Sequence, residues 1–249
     1  MDGGNVFSHE SINPFILFGW THSFFEIHKD TIVTTWITIA ITLVIVFLAR
    51  LSLAHKNSSS RFLVLSFIRA FKNLCVQSMG QFNFHHFSFV VTIFIFIFMC
   101  NVISVLPWLE EPTRDLNTTL ALGLISFLYA QASSIKVHGI AGHIKEYFKP
   151  FALMFPLHVM GNVSNIVSIS FRLFGNIFGG SIIVQLYTKA VSRGLLWQVL
   201  TILSGVNILV TLFFSLFEGF IQAFVFSMLA LTYISLAVVD SDQEEGIEP

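Results

Sequence analysis

The chain has 249 residues and a formal net charge of −1, with 55% hydrophobic and 11% charged residues. An ordinary soluble domain carries about 25% charged residues, so this composition lacks the polar surface that a soluble or nucleic-acid-binding fold needs. It predicts an all-α polytopic membrane protein with one membrane domain over 1–249. Cys75 and Cys100 lie in different segments and predict no disulfide framework, metal site or cofactor.

The apolar runs are long enough to cross the membrane, since about 30 Å of hydrocarbon takes about 20 helical residues. The N-terminus lacks the pattern of a cleavable signal peptide. In chain order the predicted elements are an outer N-terminal segment (1–30), a first span (31–49), an amphipathic helix (60–80), two further spans (87–107 and 117–135), two long helices (151–190 and 194–239) and an acidic tail (240–249).

The segment 60–80 differs from the spans because Arg61, Arg69 and Lys72 interrupt its apolar residues and leave one apolar face. This pattern is typical of a helix that lies along the membrane surface. A buried span is the alternative interpretation.

The two C-terminal apolar tracts are each nearly twice the length of an ordinary span. Each contains either two spans or one long, tilted helix. Beyond Pro156 they hold no proline, and no polar turn divides them, which favours one long helix each. The sequence therefore predicts about five transmembrane helices, with the last two forming a hairpin.

The loop charges predict the orientation, because basic loops stay on the inner side of a membrane. Residues 50–79 carry five basic residues and no acid, and residues 136–149 carry three lysines against one glutamate. The 108–116 loop is acidic on balance. We expect the first two loops inside, the third outside, the N-terminus outside and the tail inside; Lys189 and Arg193 fall on the outer side against this trend.

Arg172 lies within the apolar tract 151–190, in the run "SFRLFGNIFGG". A charge at the bilayer centre costs about 2.5 to 3.5 kcal/mol on insertion scales. Arg172 either lies near a helix end and reaches the headgroups, or faces a protein interior or a partner carboxylate. About 20 apolar or small residues on either side favour the second interpretation.

The neighbours of Arg172 predict a site of close helix packing. Gly175 and Gly179 share one helix face and Gly180 adjoins it, and small residues at this spacing let another helix approach. Asn176 lies one turn beyond Arg172 and can hold it by a hydrogen bond.

A second polar set lies in the last tract. Glu218 and Gln222 are four residues apart and predict one helix face, which Ser215 extends. Glu218 is interpreted either as a proton carrier or as a structural partner of Arg172. Both interpretations require the two long helices to lie side by side.

The chain resembles the subunit a family of F-type ATP synthases. The resemblance rests on "SFRLFGN" followed by "GG", on "IQAFVFSMLALTYI" at 221–234 and on "PTRDLNTTLAL" at 112–122. "FIFIFMCNVISVLP" at 94–107 and "KVHGIAGHIKEYFKP" at 136–150 are similar in character and order. The resemblance covers about residues 87–239; the first 86 residues match only in pattern.

The resemblance implies a stator subunit against which a ring of c subunits turns, with two aqueous half-channels that end at the ring. The subunit does no catalysis by itself. The family's essential arginine corresponds to Arg172, its glutamine to Gln222, the asparagine to Asn176 and the aspartate of the outer vestibule to Asp115. The implied partners are the c ring, the b subunits, the rest of the ATP synthase and lipid, in a bacterial plasma membrane or an organellar energy-transducing membrane.

The sequence departs from the family where relatives carry titratable groups. Ser181 stands nine residues after the arginine and Ser215 seven before the glutamine, where relatives have Glu or His. We therefore expect Glu218 to be the relay of the outer half-channel, and Asp115 and His158 to lie along the same route. The choice between H⁺ and Na⁺ stays open.

Two other classes of function remain as alternatives. The first is a secondary transporter or channel with a buried Arg–Glu pair; such proteins commonly show inverted repeats and broken helices, which this sequence does not. The second is a structural assembly protein, which would not need charges at mid-membrane.

Overall fold

A computed structural model describes residues 11–12, 27–54, 59–105, 109, 111–147, 154–191, 209 and 212–239. The helices are α1 (Lys29–Ala54), α2 (Ser59–Met79), α3 (Phe84–Val102), α4 (Leu116–Tyr147), α5 (Met154–Val191) and α6 (Gly219–Val239). Two 3₁₀ turns follow α3 and precede α4, and a π-helical segment precedes α6 (Ile103–Val105, Pro112–Arg114 and Phe213–Glu218). The all-α prediction is confirmed, with one small addition: β1 (Ser11–Ile12) pairs antiparallel with β2 (Ile27–His28).

Six helices in the described residues are long and apolar enough to cross a membrane, where the sequence predicts about five. The additional one is α2, which is the least hydropathic of the six. Its buried residues are Phe71, Cys75 and Met79, a narrow stripe with a spacing of four. This one-sided burial suits a helix lying on the bundle surface, and whether α2 lies along the membrane or crosses it stays a prediction.

The helix α4 continues well past residue 135, where the sequence analysis ends the third span. The segment predicted as a loop is helical as far as Tyr147. Gly139 interrupts it with a φ of 71°, a conformation that glycine adopts without the steric cost of a side chain. Lys136 and Lys145 therefore lie on a kinked helix end instead of a loop.

The first long tract is one continuous helix, α5, as the sequence predicts. The second differs in its described part, because Phe213–Glu218 is π-helical before α6 begins. Residues 194–208 of that tract lie outside the described residues, as does the acidic tail.

The helix α6 packs mainly against α3 and α4, and α5 packs mainly against α4. The two long helices also touch, but each has a larger contact with α4 than with the other. The helix α4 therefore packs against both members of the predicted hairpin. Fully buried side chains from α3, α5 and α6 fill the centre, among them Ile97, Leu173 and Phe226.

Two glycines allow the helices to cross at short distance. A Cβ on Gly123 of α4 would collide with Ser170 Oγ of α5 and lie 3.3 Å from the Ile166 carbonyl oxygen. A Cβ on Gly219 of α6 would lie 2.6 Å from Asn101 Cβ of α3. These crossings fix the positions of α5 and α6 against the rest of the bundle.

Candidate functional site

Arg172 lies inside a candidate membrane span, Phe155–Ile183, and its side chain is exposed on the surface of the chain. No hydrogen bond or ion pair joins its guanidinium to another residue that the structure describes. Next to it, Leu173 is fully buried, so the opposite face of α5 is the one that packs inward. A permanent cation thus projects from the middle of a membrane helix toward whatever surrounds the chain.

The exposed face of α5 also carries glycines, which have no projecting side chain. Gly175 and Gly179 have open space where a Cβ would lie. Gly180, predicted to join them, is buried against the chain, because the next residue in a helix points about 100° away. Two of the three predicted packing glycines therefore lie on the side where a partner helix has room to approach.

A polar cleft of about 300 Å³ lies between α4, α5 and α6. We call it the histidine-end cleft, because His143 and His158 line it. Its polar lining continues along α4 and α5 through Ser134, Gln131, Ser126, Asn162 and Asn165. Among a majority of apolar membrane residues, this run of hydroxyl, amide and imidazole groups is suited to holding water.

The far end of the cleft reaches the inward face of α5 near Ser170. Gly123 and Ile169 line that end, and Gly123 lies directly against Ser170. Ser170 Oγ is buried without a hydrogen-bond partner among the described residues. Buried polar atoms of this kind are usually satisfied by ordered water. The polar lining therefore leads to a point two residues before Arg172 in the chain.

A second group of polar residues lies at the other end of α4, where α3 meets α6. Ser104 Oγ and Ser215 Oγ are 2.7 Å apart, and Asn101 Nδ2 donates to the Gly219 carbonyl oxygen at 3.2 Å. Thr113 Oγ1 donates to Asn101 Oδ1 at 3.4 Å. We call these four side chains, Asn101, Ser104, Thr113 and Ser215, the α3–α6 polar cluster.

The π-helical segment changes the predicted face of Ser215, Glu218 and Gln222. Ser215 and Gln222 are buried, whereas Glu218 is half-buried. The α-helical spacing assumed for these residues does not hold between Ser215 and Glu218, since the segment closes its hydrogen bonds over five residues instead of four. Ser215 bonds Ser104 in the turn after α3, Gly219 accepts from Asn101 of α3, and Glu218 immediately precedes Gly219 in the chain.

Asp115 begins α4 close to this cluster. Its Oδ1 accepts a hydrogen bond from the Asn117 backbone N–H at 3.0 Å, which caps the helix. Its Oδ2 is buried without a partner among the described residues. One oxygen thus positions the helix while the other remains for water or a cation.

The structure separates Asp115 from His158. Asp115 precedes α4, whereas His158 lines the cleft together with Ser134 near the opposite end of that helix. The 19 residues between Asp115 and Ser134 correspond to about 28 Å of helix. Asp115 and His158 therefore lie at opposite ends of α4, because α5 begins at the end where α4 finishes, and the route that each borders stays a prediction.

Two further predicted residues have simpler surroundings. Ser181 is half-buried on α5 and donates to the Phe178 carbonyl oxygen of its own helix at 2.8 Å. Asn176 lies on α5, and its side chain is outside the described residues. Among the described residues, no group of three or more His, Cys, Asp or Glu is arranged to hold a metal ion.

Comparison with known proteins matches residues 32–235 to the family described as ATP synthase A chain. The chain belongs to the ATP synthase A chain family. The resemblance stated from the sequence is confirmed. Together with its six apolar helices, membership makes the chain a multi-pass integral membrane protein.

Among its relatives is ATP synthase subunit a of Moorella thermoacetica, 32% identical over 83% of this chain and 89% of the relative. Subunit a of Desulforamulus reducens is 40% identical over 59% of this chain, and the match spans about half, 54%, of that relative. The Propionigenium modestum protein named "ATP synthase subunit a, sodium ion specific" is 33% identical over 68% of this chain and 60% of its own length.

Sequence reasoning missed most of the polar cluster and the lining of the cleft. Asn101, Ser104 and Thr113 are polar residues in or beside an apolar span, which is a signal that could have marked them. Gln131 and Ser134 are the corresponding signal on α4. Their convergence depends on contacts between distant segments, such as Ser104 with Ser215, which the chain order does not reveal.

Proposed function

We propose that the chain is the ion-translocating, non-catalytic subunit of a rotary F-type ATP synthase. The observation that carries this proposal is the position of Arg172. It is exposed on an open, glycine-containing face of a membrane helix, and the histidine-end cleft reaches Ile169 on the inward face of the same helix, less than one turn away along the chain. A charge in that position suits a partner that brings carboxylates past it, which is the role of a ring of c subunits.

Two half-channels follow from the two polar regions. The histidine-end cleft is the inner half-channel, because the basic residues after 135 and before 80 assign that end to the inner side. The outer half-channel runs through Asp115, the α3–α6 polar cluster and Glu218. Glu218 is the relay of this route, and Gln222 supports it from the same helix.

Arg172 separates the two routes and draws the ring carboxylate into its ionised form. Two unit charges 4 Å apart attract by about 4 kcal/mol at an effective dielectric constant of 20. This energy favours release of the ion from a carboxylate that reaches Arg172. The same fixed charge repels a cation that would otherwise pass directly from one half-channel to the other.

The proposed partners are the c ring against α5, the b subunits and the remaining ATP synthase, in a bacterial plasma membrane. The described contacts of Arg172 do not favour a transporter with a buried Arg–Glu pair, since the guanidinium is exposed and makes no described ion pair. For this reason a partner outside the chain is the better counterpart.

The test is Arg172→Ala in the complete ATP synthase, assayed in inverted membrane vesicles. Ion-driven ATP synthesis should be abolished while the complex still assembles, because the side chain makes no described contact that stabilises the fold. Arg172→Lys should also fail, since an ammonium is compact, strongly hydrated and able to lose its proton.

The matched control is Ser168→Ala, an exposed residue one turn earlier on the same helix. It should retain coupled synthesis. Synthesis near the wild-type rate in Arg172→Ala would contradict the proposal.

A further inference from the structure

The kink in α4 brings a histidine back onto its own helix. Gly139, with a φ of 71°, redirects the chain so that His143 Nδ1 lies 2.9 Å from Ser134 Oγ, nine residues earlier. In a straight helix, residues nine apart are about 13 Å apart along the axis and do not touch. The glycine is therefore what places the imidazole of His143 against the wall of the histidine-end cleft.

The hydrogen bonds around Ser134 assign different roles to the two nearby histidines. His138 Nδ1 lies 3.1 Å from the Ser134 carbonyl oxygen, which can only accept, so His138 Nδ1 carries a proton and donates it there. The Ser134 hydroxyl is then left for His143. A hydroxyl can donate to a neutral imidazole nitrogen or, after rotation, accept from a protonated one, so this contact holds His143 in both charge states.

Titratable groups from the three helices around the cleft face one another. His143 belongs to α4, His158 to α5 and Tyr233 to α6, and all three line the cleft. His138 contacts the same serine, and Lys136 is exposed one turn before Gly139. Within the described residues, the remaining polar lining of the cleft consists of hydroxyl and amide groups, which carry no net charge.

We propose that His143, held by Ser134, exchanges protons between the inner solution and the water of the histidine-end cleft, and thereby makes the inner route a proton route. This proposal rests on the proposed function. During synthesis the ring of His143 accepts a proton from the cleft and releases it to the inner solution; during hydrolysis the direction reverses. Imidazole suits this exchange because its protonation changes near neutral pH.

The experiment uses inverted vesicles that contain the complete ATP synthase, in weakly buffered medium. His143→Ala should lower ATP-driven proton pumping about a hundredfold, the lower end of what a positioned proton-transfer group contributes. Millimolar imidazole added to the medium should restore much of the rate, because it supplies the missing exchange group. A purely structural role of His143 would not respond to imidazole.

The matched control is His85→Ala, an exposed histidine at the start of α3 whose ring packs against Phe84 and does not line the histidine-end cleft. It should pump normally and show no response to imidazole. Gly139→Ala should reproduce the defect of His143→Ala, since a side chain is strained at this φ. Gly161→Ala, at an open position of α5, should not.

The outcomes separate this inference from the proposed function. Normal pumping in weakly buffered His143→Ala vesicles, or a loss that imidazole leaves unchanged, would overturn the proton-exchange role. Pumping that requires Na⁺ would also overturn it. If Arg172→Ala still couples, the proposed function itself fails, whatever the histidine variants do.

Discussion

The two long C-terminal segments both carry polar residues through the membrane, but they present them in opposite directions. On α5, Arg172 is exposed on the surface of the chain, on the same face as Gly175. In the π segment and α6, Ser215 and Gln222 are buried, and Ser215 is hydrogen-bonded to Ser104 in the turn that follows α3. One segment shows its polar face outward, and the other turns it into the bundle.

This difference indicates which segment contacts a partner protein and which segment lines an ion pathway within the chain. A polar residue inside the hydrocarbon region must face protein or water, because lipid cannot satisfy it. The bundle already satisfies the residues on α6, whereas those on α5 are complete only when another protein covers them. Under the proposed function, this division would assign α5 to the ring and α6 to the outer half-channel.

We expect the greatest loss of ion flow from a change at Glu218, in the proposed outer half-channel. Glu218→Gln keeps the size and hydrogen bonding of the side chain but removes its charge, so ion flow should fall severely while the subunit still assembles. Proton-transfer groups contribute about 10² to 10⁴-fold in rate. Proton pumping in inverted vesicles measures the loss, and the ratio of subunits in the purified complex measures assembly.

Thr232→Ala is the control on the same helix, since Thr232 is exposed and its hydroxyl bonds only the Met228 carbonyl oxygen. Exchanging the two groups, as Glu218→Ser with Ser215→Glu, should restore part of the activity because Ser215 belongs to the α3–α6 polar cluster and Glu218 precedes Gly219, which Asn101 of that cluster contacts. Normal pumping by Glu218→Gln would mean that the relay is another residue.

The sequence predicts the position of most membrane helices and of the central charge, because both depend on local patterns. The predicted helix 151–190 and the observed α5, Met154–Val191, nearly coincide. The π segment and the Asn101–Gly219 crossing could not be predicted. They arise where residues 118 positions apart meet, and only the packing of α3 against α6 determines that meeting.

Two glycine substitutions, one on α6 and one on α5, should differ in their effect on stability. Gly219→Ala should destabilise the complex by about 1 to 3 kcal/mol, the usual cost of overpacking, because its Cβ would press against Asn101. Gly179→Ala should leave the stability of the subunit unchanged, since its Cβ enters open space, and should weaken only coupling to the ring.

Thermal unfolding of the detergent-solubilised complex distinguishes these two variants. Equal melting temperatures for Gly219→Ala and the wild type would contradict the close α3–α6 crossing. A lowered melting temperature for Gly179→Ala would show that its face is already packed within the subunit.

The last prediction concerns the accessibility of single cysteines to polar thiol reagents, and the measurement does not depend on activity. The native Cys75 and Cys100 are buried and should not react with polar thiol reagents. His158→Cys should react with a membrane-impermeant reagent added to the inner side, and Asp115→Cys with the same reagent added to the outer side. Labelling of both positions from one side would contradict the assignment of the two half-channels to opposite ends of α4.

The most direct test of the central claim, that the exposed face of α5 meets the ring, is disulfide cross-linking within the complete ATP synthase. Single cysteines at Gly175, Gly179 and Gly180 are each paired with cysteines placed along the carboxylate-bearing helix of the c subunit. We predict cross-links from Gly175→Cys and Gly179→Cys and none from Gly180→Cys, which is buried in the chain. Cross-links from Gly180→Cys alone would contradict the account.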